Sequence, residues 1–107
     1  MGIDIGSGGC KVTVIDTAGR VLSKKYCEYR TFYPHPGWAE QNPADWEEAL
    51  AKTLALTVGD AACSRQEIEC ITIGATTHTV VLLDKEGKSS GPRFSGRTKG
   101  PSMRWNG

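Results

Sequence analysis

The sequence contains no long apolar run and almost no excess of charge of one sign. Its apolar stretches fall well short of the ~20 residues that a bilayer-spanning helix needs, so no membrane segment is indicated. Thirteen basic and twelve acidic residues leave a net charge of +1, which gives no electrostatic reason to expect nucleic acid or an acidic membrane as a partner. At 107 residues, 38% of them hydrophobic, the chain is long enough for one domain with a modest core.

The cysteines lack the spacing of a metal site. None of Cys10, Cys27, Cys63 and Cys70 forms a CxxC pair, and neither histidine lies beside a cysteine, so zinc is not indicated. The N-terminus enters a strand pattern at once, with Asp4 inside it, and does not resemble a secretory signal. We therefore expect a cytoplasmic protein whose four thiols stay reduced and serve as buried packing residues.

The most informative stretch is the first eleven residues, MGIDIGSGGCK. An apolar run at Gly2–Ile5 stops at the small residues Gly6–Gly9, and a second run follows at Val12–Ile15. This pattern predicts two strands joined by a tight turn of low side-chain bulk. Glycines let backbone N–H groups approach an anion such as phosphate closely.

Three side chains in this stretch suit the same chemistry. Ser7 offers a hydroxyl donor, Lys11 a cation, and Asp4 a carboxylate that can hold a magnesium ion directly or through its waters. The alternative interpretation is an ordinary glycine-rich hairpin without a ligand.

The next segment is predicted to complete a meander. Asp16–Arg20 has the composition of a turn, and Val21 to about Arg30 is predicted to be a third strand near a sheet edge. The loop Tyr33–Gln41 is too rich in proline and glycine for regular structure. Within it we expect Trp38 to fold back over the edge of the domain.

A helix is predicted after this loop. Asn42 can cap it, Pro43 suits the first helical position, and Gly59 suits the C-cap. Seven residues recur at helical spacing and form one apolar face: Trp46, Ala49, Leu50, Thr53, Leu54, Thr57 and Val58.

Two further strands are predicted beyond the helix. Ile68–Gly74 is expected to be central in the sheet, and Thr79–Leu83 forms the fifth strand. Asp84–Lys88 repeats the turn composition of Asp16–Arg20, and residues 89–107 are expected to be an irregular tail. The β-β-β-α-β-β order predicts an α/β fold with a mixed sheet.

Three stretches in this order resemble the N-terminal part of the FGGY family of carbohydrate kinases, nearest to its xylulokinase branch. GIDIGSGGCK is similar to the family's first phosphate motif, which recurs across actin-like ATPases. YPHPGWAEQNPADWEEAL, residues 33–50, is similar to the family's Pro-Gly-Trp stretch before the first helix. IGATTHTVVLLDKEGK, residues 73–88, is similar to a strand–loop–strand with a sugar-contacting turn.

The resemblance implies a partial actin-like, ribonuclease-H-like domain in residues 1–88. It implies ATP and Mg²⁺ as cofactors and ATP-dependent phosphorylation of a sugar, most simply a pentulose such as xylulose. Carried over by position, Asp4 lies near the metal, while Gly6, Ser7, Gly8 and Lys11 bind phosphate.

The same resemblance implies that Thr77 and His78 line the sugar site. A neutral imidazole can both donate to and accept from a sugar hydroxyl. The alternative interpretation of His78 is a loop histidine that faces solvent.

The departures from the family indicate a truncated piece. The usual Trp-x-Asp-x-Arg strand is replaced by residues 91–97, and the later catalytic-base aspartate and second domain are absent from the 107 residues. We therefore expect the chain alone to be inactive and to self-associate through an exposed sheet edge. The alternatives are a non-catalytic anion-binding module or relic, and another actin-like phosphotransferase.

Overall fold

A computed structural model describes residues 1–77, 79–89 and 93–94. In chain order the described elements are β1 (Gly2–Ile5), β2 (Gly9–Ile15), β3 (Val21–Glu28), β4 (Glu40–Gln41), α1 (Pro43–Asp60), a 3-10 helix (Arg65–Glu67), β5 (Thr72–Ala75) and β6 (Arg93–Phe94). The chain divides into two compact units. The first comprises Met1–Tyr29 and Ala44–Thr76, and the second comprises Arg30–Pro43 and Thr77–Gly107.

The first unit is built on a four-stranded sheet with the order β3-β2-β1-β5. β1 pairs antiparallel with β2, and β2 pairs antiparallel with β3, as the predicted meander requires. β5 returns after the helix and pairs with β1 in parallel. The mixed sheet with a crossover helix confirms the predicted α/β fold.

The turn between β2 and β3 forms for the reason that its composition indicated. The Asp16 carboxylate accepts hydrogen bonds from the N–H groups of Ala18 and Arg20, each at 2.9 Å. Gly19 adopts a positive φ of 82°, where a side chain would be strained. The bond from the Arg20 N–H is the main reason that the pKa of Asp16 is lowered.

Helix α1 covers one face of this sheet with its apolar stripe. Ala49, Thr53 and Thr57 are buried on it, and Trp46 and Leu54 are half-buried. They pack toward Ile3, Cys10, Val12 and Tyr29, which form the core of the unit. The threonines satisfy their hydroxyls within the helix, since Thr53 Oγ1 donates to the Ala49 carbonyl and Thr57 Oγ1 to the Thr53 carbonyl.

The helix end differs from the prediction. Helix α1 continues through Gly59 to Asp60, and the left-handed residue that follows is Ala62, with φ of 52°. Gly59 is not the C-cap, because the hydrogen bond from the Ala61 N–H to the Thr57 carbonyl extends the last turn. An alanine therefore occupies a conformation in which glycine has no steric cost.

Polar contacts attach the C-terminal end of the helix to β3. The Asp60 carboxylate accepts a 3.0 Å hydrogen bond from the Ser23 hydroxyl and lies 3.3 Å from Lys25 Nζ. The Ser23 bond, followed by the Lys25 contacts, lowers the pKa of Asp60. The contacts of Asp60 with Ser23 and Lys25 fix which end of helix α1 lies over β3.

The predicted position of the fourth strand was wrong. β5 covers Thr72–Ala75 and lies at one end of the described sheet, so it is an edge strand there. Ile71 and Ile73 are 54% and 68% exposed. An apolar sequence shows that a strand favours burial, but it does not show that a neighbouring element covers it. Self-association through this edge stays a prediction.

The second unit has a two-stranded sheet in which β4 pairs antiparallel with β6. A bridge between Phe32 and Glu40 precedes it, so the predicted irregular loop contains a short ladder. The predicted strand Thr79–Leu83 is not a strand among the described residues, and Leu83 makes only an isolated bridge to Ser89. The apolar run lacks the alternation with polar residues that marks a half-buried strand.

The turn that begins at Asp84 agrees with its prediction, whereas the predicted place of Trp38 over the edge of the domain stays a prediction. Gly87 has a φ of 77°, and Asp84 Oδ1 accepts hydrogen bonds from the Glu86 and Lys88 N–H groups, as in the first turn. Trp38 is half-buried and meets the His35 ring edge-on at 4.7 Å. The tail predicted for residues 89–107 lies largely outside the described residues, and its boundary at Lys88 stays a prediction.

The cysteines were predicted to be buried throughout, and that was wrong for the later ones. Cys10 is buried, Cys27 and Cys63 are intermediate, and Cys70 is exposed, with all four thiols free. Burial, followed by the neighbouring Cys27 and Asp4, raises the pKa of the Cys10 thiol. In the part of the chain that the structure describes, no helix is both long and apolar enough to cross a membrane.

Replacing Ala62 by glycine is expected to stabilise the first unit. The substitution removes the left-handed strain of alanine, and we expect a gain of about 0.5–1 kcal/mol in the free energy of unfolding. Urea unfolding measures it, with Ala55→Gly in the exposed part of α1 as the matched control, which should lose about 1 kcal/mol. A loss in both variants would contradict the assignment of the helix end.

Candidate functional site

The turn between β1 and β2 is closed by its own backbone. The Gly6 N–H donates to the Gly9 carbonyl at 2.9 Å, and Ile5 pairs with Cys10 just before it. Ser7 and Gly8 at the tip are exposed. Among the described residues, the Gly8 N–H makes no hydrogen bond, so it is available to an anion.

The two charged residues beside the turn are cross-strand partners. Asp4 on β1 lies opposite Lys11 on β2, and both are exposed. Ile3 and Val12, one position away on each strand, are buried under the helix. Because strand side chains alternate between faces, the carboxylate and the ammonium share the face that α1 does not cover. The structure thus brings Asp4 and Lys11 together next to the glycines.

Glycine on the neighbouring strand leaves space beside Asp4. Gly74 of β5 is the parallel partner of Asp4, and a Cβ added there would lie 3.9 Å from Asp4 Oδ1. The carboxylate therefore has Lys11 on one side and a position without a side chain on the other.

Two tyrosines that sequence reasoning missed flank the turn. Tyr26 is the β3 partner of Lys11, and its ring lies against Gly9 on the open face. A Cβ at Gly9 would be 2.5 Å from Tyr26 Cζ and 2.6 Å from the Cys27 carbonyl oxygen. Gly9 is therefore required by the close approach of β3, a constraint that the sequence shows only once the strand register is known.

Tyr29 lies on the opposite, core side of the turn. Its hydroxyl donates to the Gly6 carbonyl and lies 3.1 Å from the Gly9 carbonyl oxygen, and its N–H donates to the Gly8 carbonyl at 3.2 Å. It is 9% exposed. Burial, followed by the nearby Cys10, raises the pKa of Tyr29 to about 12, so its hydroxyl keeps its proton at neutral pH.

The end of β5 is attached to the base of the turn. The N–H and the hydroxyl of Thr76 both lie on the Ile5 carbonyl, at 3.0 and 3.1 Å. This double contact fixes the residue that precedes Gly6. Thr76 was missed because the parallel pairing that brings it there is not visible in the local sequence.

The predicted sugar-site residues are not brought to this turn by anything described. Thr77 is exposed and belongs to the second unit, and His78 lies outside the described residues. Their role stays a prediction.

Asp4 is the carboxylate that we predict to take part in metal binding at this site. Within the described ranges, no group of three or more histidine, cysteine, aspartate or glutamate side chains could hold a metal ion. Mg²⁺ commonly keeps several waters and is held by one or two carboxylates together with substrate phosphates. Asp4 fits such a water- and phosphate-completed site but not a site formed by the protein alone.

A cavity of about 660 Å³ lies elsewhere in the first unit. Its lining residues come from the N-terminus, the second half of α1 and the segment before β5, and they include Met1, Leu54, Val58, Arg65, Ile68 and Ile71. The walls are mainly apolar, whereas recognition of a small ligand usually needs several converging polar groups. The glycine turn is therefore the better candidate site.

Comparison with known proteins agrees with this fold and motif. Residues 1–93 match the model of the N-terminal domain of the FGGY family of carbohydrate kinases. The xylulose kinase of Escherichia coli (strain K12) is 29% identical over 106 residues, which cover 99% of this chain and 20% of that protein. The glycerol kinase of Haloarcula marismortui is 30% identical over 84 residues, or 78% of this chain and 16% of that protein.

A solved structure shows the same architecture. The crystal structure of a xyloylose kinase from Brucella ovis superposes with a TM-score of 0.81 at 30% identity, covering 87% of this chain and 20% of that one. The chain thus spans 16–20% of the length of these relatives.

Gly9→Ala is expected to destabilise the first unit by about 1–3 kcal/mol, because the added methyl overlaps backbone as well as Tyr26. Gly59→Ala is the matched control. A Cβ at that helical position meets nothing within 4 Å, so this variant should gain up to about 1 kcal/mol. Thermal and urea unfolding compare them, and equal effects in the two variants would contradict the close approach.

The raised pKa of Tyr29 predicts a loss of stability at high pH. The folded chain holds this proton more tightly than the unfolded chain. The contribution of Tyr29 to the free energy of unfolding is therefore complete below about pH 10 and is lost as the pH rises through the folded pKa of about 12. The two-unit difference corresponds to about 3 kcal/mol.

The test compares wild type with Tyr29→Phe in tyrosinate absorbance and in urea unfolding, both as a function of pH. Tyrosinate absorbance, subtracted between the two, should give the midpoint of Tyr29, and urea unfolding over the same pH range should show a steeper decline for wild type. A midpoint at the ordinary value of about 10 would refute the expectation.

Proposed function

The chain belongs to the FGGY family of carbohydrate kinases, and from that premise we propose that it forms the phosphate- and sugar-binding N-terminal part of an ATP-dependent sugar kinase. Residues 1–88 contribute to its first domain. The acceptor we propose is a pentulose such as xylulose. The catalytic base and the second domain lie outside these 107 residues.

The observation that carries the proposal is the exposed glycine turn with a cation beside it. Ser7 and Gly8 are exposed at the tip, and the Gly8 N–H has no partner in the described part of the chain. Glycines leave no side chain between an oxyanion and these N–H groups. A phosphate at the tip would be held by backbone donors, with the Ser7 hydroxyl as a further donor.

Lys11 and Asp4 bind the oppositely charged parts of a metal–nucleotide complex. The Lys11 ammonium neutralises phosphate charge, and the Asp4 carboxylate attracts Mg²⁺ or its waters. When bound, Mg²⁺ offsets charge on the transferred phosphoryl group and orients it. The side chains of this chain then act by position and electrostatics alone.

The sugar side of the proposal depends on Thr77 and His78. Thr77 is exposed, and its hydroxyl is of the kind that binds sugar hydroxyls. An imidazole at position 78 would add a donor and an acceptor. The support for these two residues is their place in the family motif IGATTH, residues 73–78.

The choice of a pentulose rests on the likeness of the motifs to the xylulokinase branch of the family. Xylulose kinases and glycerol kinases match this chain at similar identity, and most of them over about 80% of its length. Overall similarity is therefore equal for the two kinds of acceptor, and the motifs carry the choice.

Binding of Mg-ADP to the isolated chain tests the proposal. Amide NMR signals of Gly6, Ser7, Gly8 and Lys11 should shift with a dissociation constant of about millimolar, because no second domain closes over the ligand. Lys11→Met should weaken binding by about threefold to fivefold. Magnesium should strengthen binding in wild type and have less effect in Asp4→Asn.

The matched control is Lys24→Met. Lys24 is an exposed lysine on β3 opposite Thr13, on the open face but farther from the turn, so binding should change little. Shifts confined to residues 93–104 would mean that the basic tail binds the anion, and no shifts at all would favour the non-catalytic alternative. In a coupled assay with ATP and pentuloses, turnover clearly above a no-protein blank would refute the expected inactivity of the chain alone.

A further inference from the structure

We propose that Tyr29 is a positioning residue for phosphate binding. Tyr29 holds the Gly6 and Gly8 carbonyls on the core side of the turn, so that the N–H groups that follow them in the chain face the ligand. This inference rests on the proposed function. Tyr29 lies eighteen or more positions from the motif in the sequence, and neither the glycine pattern nor the charged residues beside it indicate such a role.

The contacts involve three of the four turn residues. The Tyr29 hydroxyl lies between the Gly6 and Gly9 carbonyls, at the two ends of the turn. The backbone N–H of Tyr29 donates a hydrogen bond to the Gly8 carbonyl. One residue therefore provides donors for the carbonyls of Gly6 and Gly8, and its hydroxyl also lies close to the Gly9 carbonyl.

Peptide geometry converts these contacts into an orientation of N–H groups. In a trans peptide the C=O and the following N–H point in opposite directions, and every described peptide is trans. Holding the Gly6 carbonyl toward Tyr29 directs the Ser7 N–H away from it, and holding the Gly8 carbonyl does the same for the Gly9 N–H. Carbonyl oxygens that would repel phosphate are turned away by the same contacts.

The ring of Tyr29 is itself well anchored. It is buried with Ile3, Cys10, Val12 and Ala49 in the core cluster, and it packs at a tilt against Trp46 of helix α1, with ring centroids 6.3 Å apart. Water has little access to compete for the hydroxyl, so the carbonyls keep their donor. The turn is thereby connected to the helix through one side chain.

If Tyr29 only filled space, its replacement by phenylalanine would leave phosphate binding unchanged. Tyr29→Phe keeps the ring and removes the oxygen, leaving the Gly6 carbonyl without its donor. Rotation of that peptide toward the ligand side then turns the Ser7 N–H away from phosphate. Preorganised donors lose affinity when they must first reorient.

The test compares Mg-ADP binding in wild type, Tyr29→Phe and Ala55→Gly by amide NMR. Tyr29→Phe should weaken binding by about fivefold or more and change the carbonyl carbon shifts of Gly6 and Gly9. Ala55→Gly lowers stability without touching the turn, and it should bind within about twofold of wild type. If Tyr29→Phe is partly unfolded, all three are measured in trimethylamine N-oxide, which favours the folded state.

The outcomes separate the two proposals. Wild-type binding at the turn with equal affinity in Tyr29→Phe overturns the positioning role and leaves the proposed function intact. No wild-type binding at the turn overturns the proposed function. Unchanged carbonyl carbon shifts in Tyr29→Phe, with or without nucleotide, contradict the contacts between Tyr29 and the carbonyls. Equal losses of Mg-ADP affinity in Tyr29→Phe and Ala55→Gly would mean that the effect comes from lower stability and would overturn the positioning role.

Discussion

Strand β1 is hydrogen-bonded on both sides, antiparallel to β2 and parallel to β5. Its four residues therefore have no open backbone edge, and their register sets the rest of the first unit. The same register places Ile3 in the core and Asp4 on the open face. It also brings the ends of β1 and β5 to one end of the sheet, where Thr76 holds the Ile5 carbonyl and the glycine turn begins.

Helix α1 makes this arrangement specific to one face. Its buried stripe covers Ile3 and Val12, and Asp60 is attached to β3 through Ser23 and Lys25. The charged pair Asp4 and Lys11 is left on the uncovered face. The proposed phosphate site thus depends on the helix covering only one side of the sheet, since the helix and the ligand would approach from opposite sides.

The parts that could be predicted from the sequence are those determined by near neighbours. The Asp16 and Asp84 turns, the start of the helix at Pro43 and its apolar stripe each depend on residues a few positions apart. The family resemblance and the mixed α/β sheet were also predicted correctly from ordered motifs.

The failures involve contacts between distant segments or competition at an element end. The edge position of β5 depends on what covers it, and an apolar run such as Ile71–Ile73 carries no information about that. Tyr29 and Tyr26 reach the turn only through the β2–β3 register. At the helix end, continued hydrogen bonding outweighed the glycine signal at position 59 and left Ala62 in the left-handed conformation.

The pairing of β1 with β5 has a consequence for the order of folding. The partners Gly2 and Thr72 are separated by almost the whole described first unit, whereas β1, β2 and β3 are joined by short turns. Loop-closure entropy favours early formation of the local meander and later addition of the distant strand. During synthesis, one edge of β1 therefore stays unpaired until residue 75 has left the ribosome. In that interval the open edge of β1 can pair with a wrong strand.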